Sequence, residues 1–324
     1  MRFHIIGVGA IGSHIATELK RHNPVTLVLR SQKAVQEFRE RHNNEITYKR
    51  VGMTPRQIRG FDAIAMDNLD SKMSNIETLV LATKATQAIE AVRSVRPYLT
   101  SMSTLLLLQN GMGVADQILQ SLWPVKEERP SVIIGVNRHA IERLAPFSIQ
   151  HNSGWNDKAG GLVLGALPHS RKEQFEPVLR AITEIPEMNA ESVDYSELQK
   201  RMMRKLVVNA AINPIAGILD STNGEMLENS YAMGLSRNVC NEAAKVLTEL
   251  NTTGEELFGM INGMLEISKS NRCSTVQDFR AKRLTELEYI TGYLIKLAKE
   301  RNVDVPTNQF LLDMAHAKEK MICS

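Results

Sequence analysis

Long apolar runs are missing from this chain: none approaches the roughly 18 residues that would span a bilayer. Cysteine is scarce. Cys240, Cys273 and Cys323 form no C-x-x-C pair and have no histidine beside them at metal-ligand spacing. They read as free thiols of a reducing compartment, and no metal site is expected. Aromatic residues make up 5% of the chain and do not interleave with basic ones. The net charge of +3 comes from 39 Lys and Arg scattered among 36 Asp and Glu. A basic patch for nucleic acid is thereby disfavoured. Repeats and low-complexity segments are also lacking. A strand pattern begins at about residue 2, which leaves no room for a targeting segment before it. The expectation is a cytoplasmic protein without membrane attachment.

With 324 residues, 43% of them hydrophobic, the chain can bury a sizeable core and form two domains. Its strongest local signal is Gly7-Val8-Gly9-Ala10-Ile11-Gly12, directly behind the strand-like run Met1-Arg2-Phe3-His4-Ile5-Ile6. A strand, a glycine turn and a helix start in that order make a dinucleotide site. Gly7 forms the turn, Gly9 lets the backbone approach a diphosphate, and Gly12 lets the helix pack on its strand. Helix N–H groups and the helix dipole hold the anion. The second strand ends in Arg30-Ser31-Gln32-Lys33, with no acid to bind a free ribose 2′-hydroxyl. Arg30 can stack on adenine and pair with a 2′-phosphate. NADPH is therefore expected rather than NADH, although solvated loop charges would also account for Arg30 and Lys33.

Strand patterns occur at residues 2–7, 25–30, 75–83, 105–108 and 132–136, with helical patterns at 10–21, 85–95 and 114–121. This alternation implies a doubly wound, mostly parallel α/β sheet. Between residues 48 and 70 the pattern weakens to short strand-like pieces. Residues 147–150 and 161–164 read as further strands, antiparallel at the sheet edge, and 171–183 as a helix. From about residue 196 only helical spacing remains, over 206–219, 233–250, 255–267 and 276–298. We place the domain boundary at 190, with 1–190 the nucleotide domain and 191–324 the helical substrate domain.

Several segments carry groups suited to chemistry. Lys84 stands where a strand turns into a helix, on the ligand-binding edge of such sheets; an ordinary helix-start lysine is the plainer alternative. Asn110, in Gln109-Asn110-Gly111-Met112-Gly113, can bind ribose or substrate through its amide, or simply shape a turn. Lys205, Asn209 and Asn213 are four apart and form one polar stripe on an apolar helix. Such a stripe either pairs internally or faces a cavity. Pro214 is expected to bend or loosen that helix. Ser274 with Gln277 fits a capping box, and Glu286 alone would be a surface glutamate.

Taken together, these segments resemble the ketopantoate reductase (2-dehydropantoate 2-reductase) family. The matching pieces, in the family's order, are Gly7 to Gly12, Thr83-Lys84-x-x-Gln87, Asn110-Gly111-Met112-Gly113 and Lys205-x-x-x-Asn209-x-x-x-Asn213-Pro214. They continue with Asn223-Gly224-Glu225, Ser274-x-x-Gln277-Asp278 with Arg280, and Thr285-Glu286 leading to Tyr289 and Gly292. The chain departs from the pattern at Asn137-Arg138 and at Gln150 to Trp155. The resemblance implies a Rossmann domain and a helical domain like that of 6-phosphogluconate dehydrogenases, with the active site in the cleft between them. It implies that Lys205 is the general acid and that Glu286 partners both the substrate hydroxyl and the cofactor. Asn209, Asn213, Asn223 and Ser274 would be substrate ligands, with Asn110 and Lys205 also touching substrate. Lys84, Asn110 and Ala140 would be cofactor contacts. The implied reaction is NADPH-dependent reduction of ketopantoate to pantoate. The alternatives are another small 2-oxo acid as substrate, or a non-catalytic NADP(H)-binding sensor. The partner is then a small molecule, and a homodimer is compatible with it.

Overall fold

The computed structural model describes residues 1–69, 75–158 and 160–323. The chain divides into two compact units, Met1–Gln109 with Val114–Leu198 and Asn110–Gly113 with Gln199–Ser324.

The strands of the first unit are β1 (Phe3–Ile6), β2 (Val25–Leu29), β3 (Ile46–Arg50), β4 (Arg56–Ile58), β5 (Asp62–Ala65) and β6 (Thr78–Leu81). They continue with β7 (Thr104–Leu107), β8 (Ser131–Asn137), β9 (Ala140–Ala145), β10 (Ser148–Ser153), β11 (Leu162–Ala166) and β12 (Ala190–Ser192). Its helices are α1 (Ala10–Lys20), α2 (Gln32–His42), α3 (Ala88–Val95), α4 (Val114–Leu122) and α5 (Lys172–Thr183). Eight strands form one sheet in the order β12-β11-β8-β7-β6-β1-β2-β5. It is parallel from β8 to β5, and β11 runs antiparallel to β8. Every residue of β1, β6 and β7 is buried. This is why they read as largely apolar rather than as alternating apolar and polar residues. The strand order reverses at β1 and β6, which puts the turn after each of them at the ligand edge of the sheet.

The strand pattern at 147–150 is real, but β10 does not join the main sheet. It pairs with β3 and β9 in a second sheet of order β4-β3-β10-β9. The weakly patterned stretch 48–70 supplies β4 and β5; residue 70 lies outside the described residues. The small sheet explains the composition of α1. That helix packs on β1 and β2 and also on β3, β9 and β10. All residues from Gly12 to Leu19 are buried, including His14, Thr17 and Glu18.

The helices of the second unit are α6 (Tyr195–Leu219, from Gln199 onward), α7 (Asn223–Leu227), α8 (Ser230–Val246) and α9 (Gly254–Ile267). They end with α10 (Ser274–Arg280), α11 (Thr291–Glu300) and α12 (Pro306–Cys323). Val207, Ala210, Ala211 and Ala216 on α6 are fully buried with Val239, Ala243, Ile261 and Leu294. Pro214 neither ends nor interrupts α6. A mid-helix proline costs about 3 kcal/mol or more, and the buried neighbours on both sides of it offset that cost. The expected helix at 276–298 is two, α10 and α11, split around a short turn at Leu287–Tyr289. α12 escaped the sequence reading. Its N-terminus is held by the buried Glu242 carboxylate, which accepts from the Thr307 and Asn308 backbone N–H groups at 2.8 and 3.0 Å.

Among the described residues, no helix is long and apolar enough to cross a membrane.

One polar network lies inside the first unit. Tyr48 Oη and His151 Nδ1 are 2.7 Å apart, His151 Nε2 and His139 Nδ1 3.0 Å, and His139 Nε2 and the Met188 carbonyl 2.8 Å. A carbonyl can only accept. For neutral rings this fixes every proton: His139 Nε2 donates to Met188, His151 Nε2 donates to His139, and the Tyr48 hydroxyl donates to His151. The His14 ring lies 4.7 Å from that of His139 and 4.5 Å from that of His151. Burial first, then neighbouring positive charge that includes Arg50, pulls the His151 pKa down to about 3. The same burial lowers His14 strongly, and it lowers His139. The unfolded chain takes up these protons near pH about 6.5, whereas the folded cluster resists them. Between about pH 6.5 and 3, unfolding therefore gains protons and stability falls as pH falls. Both tryptophans, Trp123 and Trp155, belong to this unit. Thermal unfolding followed by their fluorescence should show a midpoint that drops steadily from pH 7 towards 4, less steeply in His14→Phe. An unchanged slope in that variant would take His14 out of the account.

Candidate active site

The elements expected to hold a nucleotide lie at the carboxyl ends of β1, β2 and β6. Gly7 has φ +95°, and a Cβ there would strike the Ala82–Thr83 backbone; one at Gly12 would strike the Gly7 carbonyl. Gly9 differs. It is the N-cap of α1, a Cβ on it would meet nothing within 4 Å, and no side chain caps the helix. The space and the helix N–H groups that an anion needs are both present. Val8, Ala10 and Ile11 are half-buried around it. Lys84 is half-buried just past β6, and Ala140 opens β9. Arg30 is exposed at the tip of β2, where Ser31 caps α2 by accepting from the Ala34 N–H at 3.3 Å. The residues after β2 supply no acid at this tip, yet Asp67 accepts from the Gln32 N–H at 3.0 Å. It arrives from the segment after β5, which pairs with β2. Only that pairing brings it near.

The second unit assembles a separate group. Lys205, half-buried on α6, donates from Nζ to Asn110 Oδ1 at 2.9 Å. Asn110 Nδ2 donates to Glu286 Oε2 at 3.4 Å. The amide has a single workable orientation, since an ammonium can only donate and a carboxylate only accept. Asn110 is held by its own loop. Met112 N–H donates to the Tyr289 carbonyl at 2.8 Å, three residues past Glu286. Gly111, at φ +85°, passes so close to that carbonyl that a Cβ would collide with it.

Asn209 is half-buried one turn along α6 from Lys205, and Asn213 is buried a turn further. Cys273 Sγ lies 3.9 Å from the Asn213 carbonyl, and Thr275 packs where a side chain at Gly217 would stand, so the start of α10 adjoins this part of α6. Ser274 is exposed as the first residue of α10. The expected capping box is not formed: Cys273 is the N-cap, and the Gln277 amide donates to the Arg272 carbonyl at 3.0 Å. Asn223 opens α7, with Nδ2 donating to Ser268 Oγ at 2.8 Å and a buried Oδ1 that has no partner. Its backbone N–H meets the Asn271 carbonyl at 2.9 Å. Asn213, Asn223 and Ser274 thus gather around the segment 268–274, while Lys205, Asn110 and Glu286 form a bonded trio.

A dinucleotide-type α/β unit followed by an all-helical unit defines a class of oxidoreductases, and comparison with known proteins narrows it. Residues 3–168 match the family model described as ketopantoate reductase PanE/ApbA, and residues 197–319 match the model for that family's C-terminal part. The chain belongs to the ketopantoate reductase family and is an oxidoreductase of that type. A similar protein is the probable 2-dehydropantoate 2-reductase of Schizosaccharomyces pombe, 28% identical over 95% of this chain and 94% of the relative. Among solved structures, the fold is shared with a PanE/ApbA family ketopantoate reductase from Ralstonia eutropha JMP134, with TM-score 0.82, 20% identity and 100% coverage of both chains. It is also shared with D-mandelate dehydrogenase, with TM-score 0.81, 20% identity and 99% coverage of both.

Gly111→Ala should displace the Asn110 loop without touching the core. We expect turnover to fall at least tenfold while the circular dichroism spectrum is kept. Full activity in a folded Gly111→Ala protein would show that the loop tolerates displacement.

Proposed function

We propose that the protein reduces 2-dehydropantoate (ketopantoate) to (R)-pantoate with NADPH, residues 1–190 holding the nucleotide and 191–324 the substrate. The observation that carries this reading is the bonded trio of Lys205, Asn110 and Glu286. The S. pombe relative, a probable 2-dehydropantoate 2-reductase, supports the substrate. The open space at Gly9 and the uncapped α1 fit a diphosphate, and the exposed Arg30 fits a 2′-phosphate.

When bound, the reduced nicotinamide supplies the hydride that the C2 carbonyl carbon accepts. Lys205, as an ammonium, meets the negative charge that grows on the carbonyl oxygen and donates the proton to it. Positioned proton transfer of this kind is worth about 10²–10⁴ in rate. Asn110 keeps the ammonium aimed, and Glu286 orients the new C2 hydroxyl through its carboxylate. Ser274 binds the substrate carboxylate, and Asn209, Asn213 and Asn223 fix its C4 hydroxyl. Lys84, Asn110 and Ala140 contact the cofactor together with Gly7 to Gly12.

Lys205→Ala is expected to lose about 10²–10⁴ in kcat while its affinity for NADPH, measured by fluorescence titration, stays within about twofold. Unchanged turnover would mean that another group supplies the proton.

In a panel of 2-oxo acids followed by nicotinamide absorbance, ketopantoate with NADPH should give the highest kcat/KM. Arg30→Ala should raise KM for NADPH at least tenfold and leave that for NADH nearly unchanged. A preference for NADH would place Asp67 rather than Arg30 in control of the ribose. A better 2-oxo acid would move the substrate assignment.

A further inference from the structure

His14, His139 and His151 come from α1, the residue before β9, and β10. In the sequence they are far apart, with no ligand spacing to mark them. In the fold each offers a ring nitrogen, and these atoms lie within 4.8 Å of one another, all three residues being buried. We propose that these three histidines bind a late first-row divalent cation of the zinc type, at a site separate from the reductase centre.

Three features favour a ligand over mere packing. First, neither ring nitrogen of His14 has a hydrogen-bond partner, although the residue is completely buried. Leaving such a group unpaired costs stability, and a cation would satisfy it. Second, His139 and His151 each turn one nitrogen towards the shared space and anchor the other. His139 Nε2 is held by the Met188 carbonyl at 2.8 Å, and His151 Nδ1 by the Tyr48 hydroxyl at 2.7 Å. An outer partner on the far nitrogen is what orients imidazole ligands in metal sites. Third, His139 Nδ1 and His151 Nε2 are 3.0 Å apart. Tetrahedral zinc with Zn–N bonds of about 2.0–2.1 Å requires nitrogens about 3.3–3.4 Å apart, so these two need open only slightly. A rotation of His14 would bring in the third.

Binding conserves protons. His151 shifts its proton from Nε2 to Nδ1, and the Tyr48 hydroxyl turns from donor to acceptor. His139 already presents a lone pair from Nδ1. Imidazoles held neutral by burial are ready to bind. A set of three nitrogens without carboxylate selects zinc, cobalt or copper over magnesium and calcium. Arg50, whose guanidinium stacks on Trp155 at 4.9 Å, opposes the charge. Glu18, one turn beyond His14, is the nearby acid on α1; burial raises its pKa, and the ion would draw it back to a carboxylate.

The test is titration of chelator-treated, dialysed protein with cobalt(II) at about pH 7.5. About one equivalent should bind with the intense visible bands of tetrahedral cobalt, and zinc should displace it. Magnesium should leave the spectrum and the thermal midpoint unchanged, whereas zinc should raise the midpoint. His14→Phe and His151→Gln, checked by circular dichroism, should each lose the bands; the surface control His22→Gln should keep them. Absence of stoichiometric binding by the unmodified protein would overturn the proposal. So would bands that persist in both folded cluster variants.

Discussion

The arrangement of the second unit depends on one neutral amide placed between two opposite charges. Without Asn110, the ammonium of Lys205 and the carboxylate of Glu286 would meet only through solvent or by direct pairing. The amide accepts a hydrogen bond from the lysine and donates one to the glutamate, at 2.9 and 3.4 Å, so it links the two charged groups. The ammonium has three donor hydrogens, one of which is directed at Asn110. The constraint then passes to the backbone. Asn110 stays in place because Met112 is tied to the Tyr289 carbonyl and Gly111 leaves that approach open. The loop thus packs with the helical unit rather than with the sheet that precedes it in sequence.

The first unit obeys a different constraint, the burial of α1 against two sheets. A helix covered on one side would carry an apolar stripe and a polar face. With both sides covered, the polar residues of α1 have no solvent to turn to. Thr17 returns its hydroxyl to the His14 carbonyl at 2.8 Å, and Glu18 reaches Arg21 at 3.1 Å. His14 finds ring neighbours but no partner for its nitrogens.

The parts of the molecule that follow local rules were legible in the sequence. The glycine loop, the buried strands β1, β6 and β7 and the helix α6 each declare themselves through spacing and composition within a few residues. Features that depend on distant pairing did not. Asp67 reaches the tip of β2 only because β5 pairs there. The small sheet joins β3 to β10, about a hundred residues on, and without it residues 147–150 look like an edge of the main sheet. Pro214 stands inside α6, whose full length from Tyr195 to Leu219 depends on packing that spacing alone does not reveal. The Ser274–Gln277 pattern misled at the entry to its helix. The residues suit a capping box, but the chain enters α10 one residue earlier, at Cys273, and Gln277 turns back to Arg272.

The histidine network also bears on the nucleotide edge. His14 stands two residues beyond Gly12 on the helix that the glycine loop opens, and His139 immediately precedes Ala140. His139 is clasped by glycines: a Cβ at either Gly154 or Gly161 would strike its ring. With one nitrogen bonded to Met188 and the other to His151, that ring is held at both nitrogens. The backbone at Ala140 is therefore fixed from behind, by the same cluster that packs against the first turns of α1. A shift of either histidine segment would reach the glycine turn that opens α1. Residues 150–155 include His151 and Trp155 of this brace, whose rings stack edge-on 4.8 Å apart.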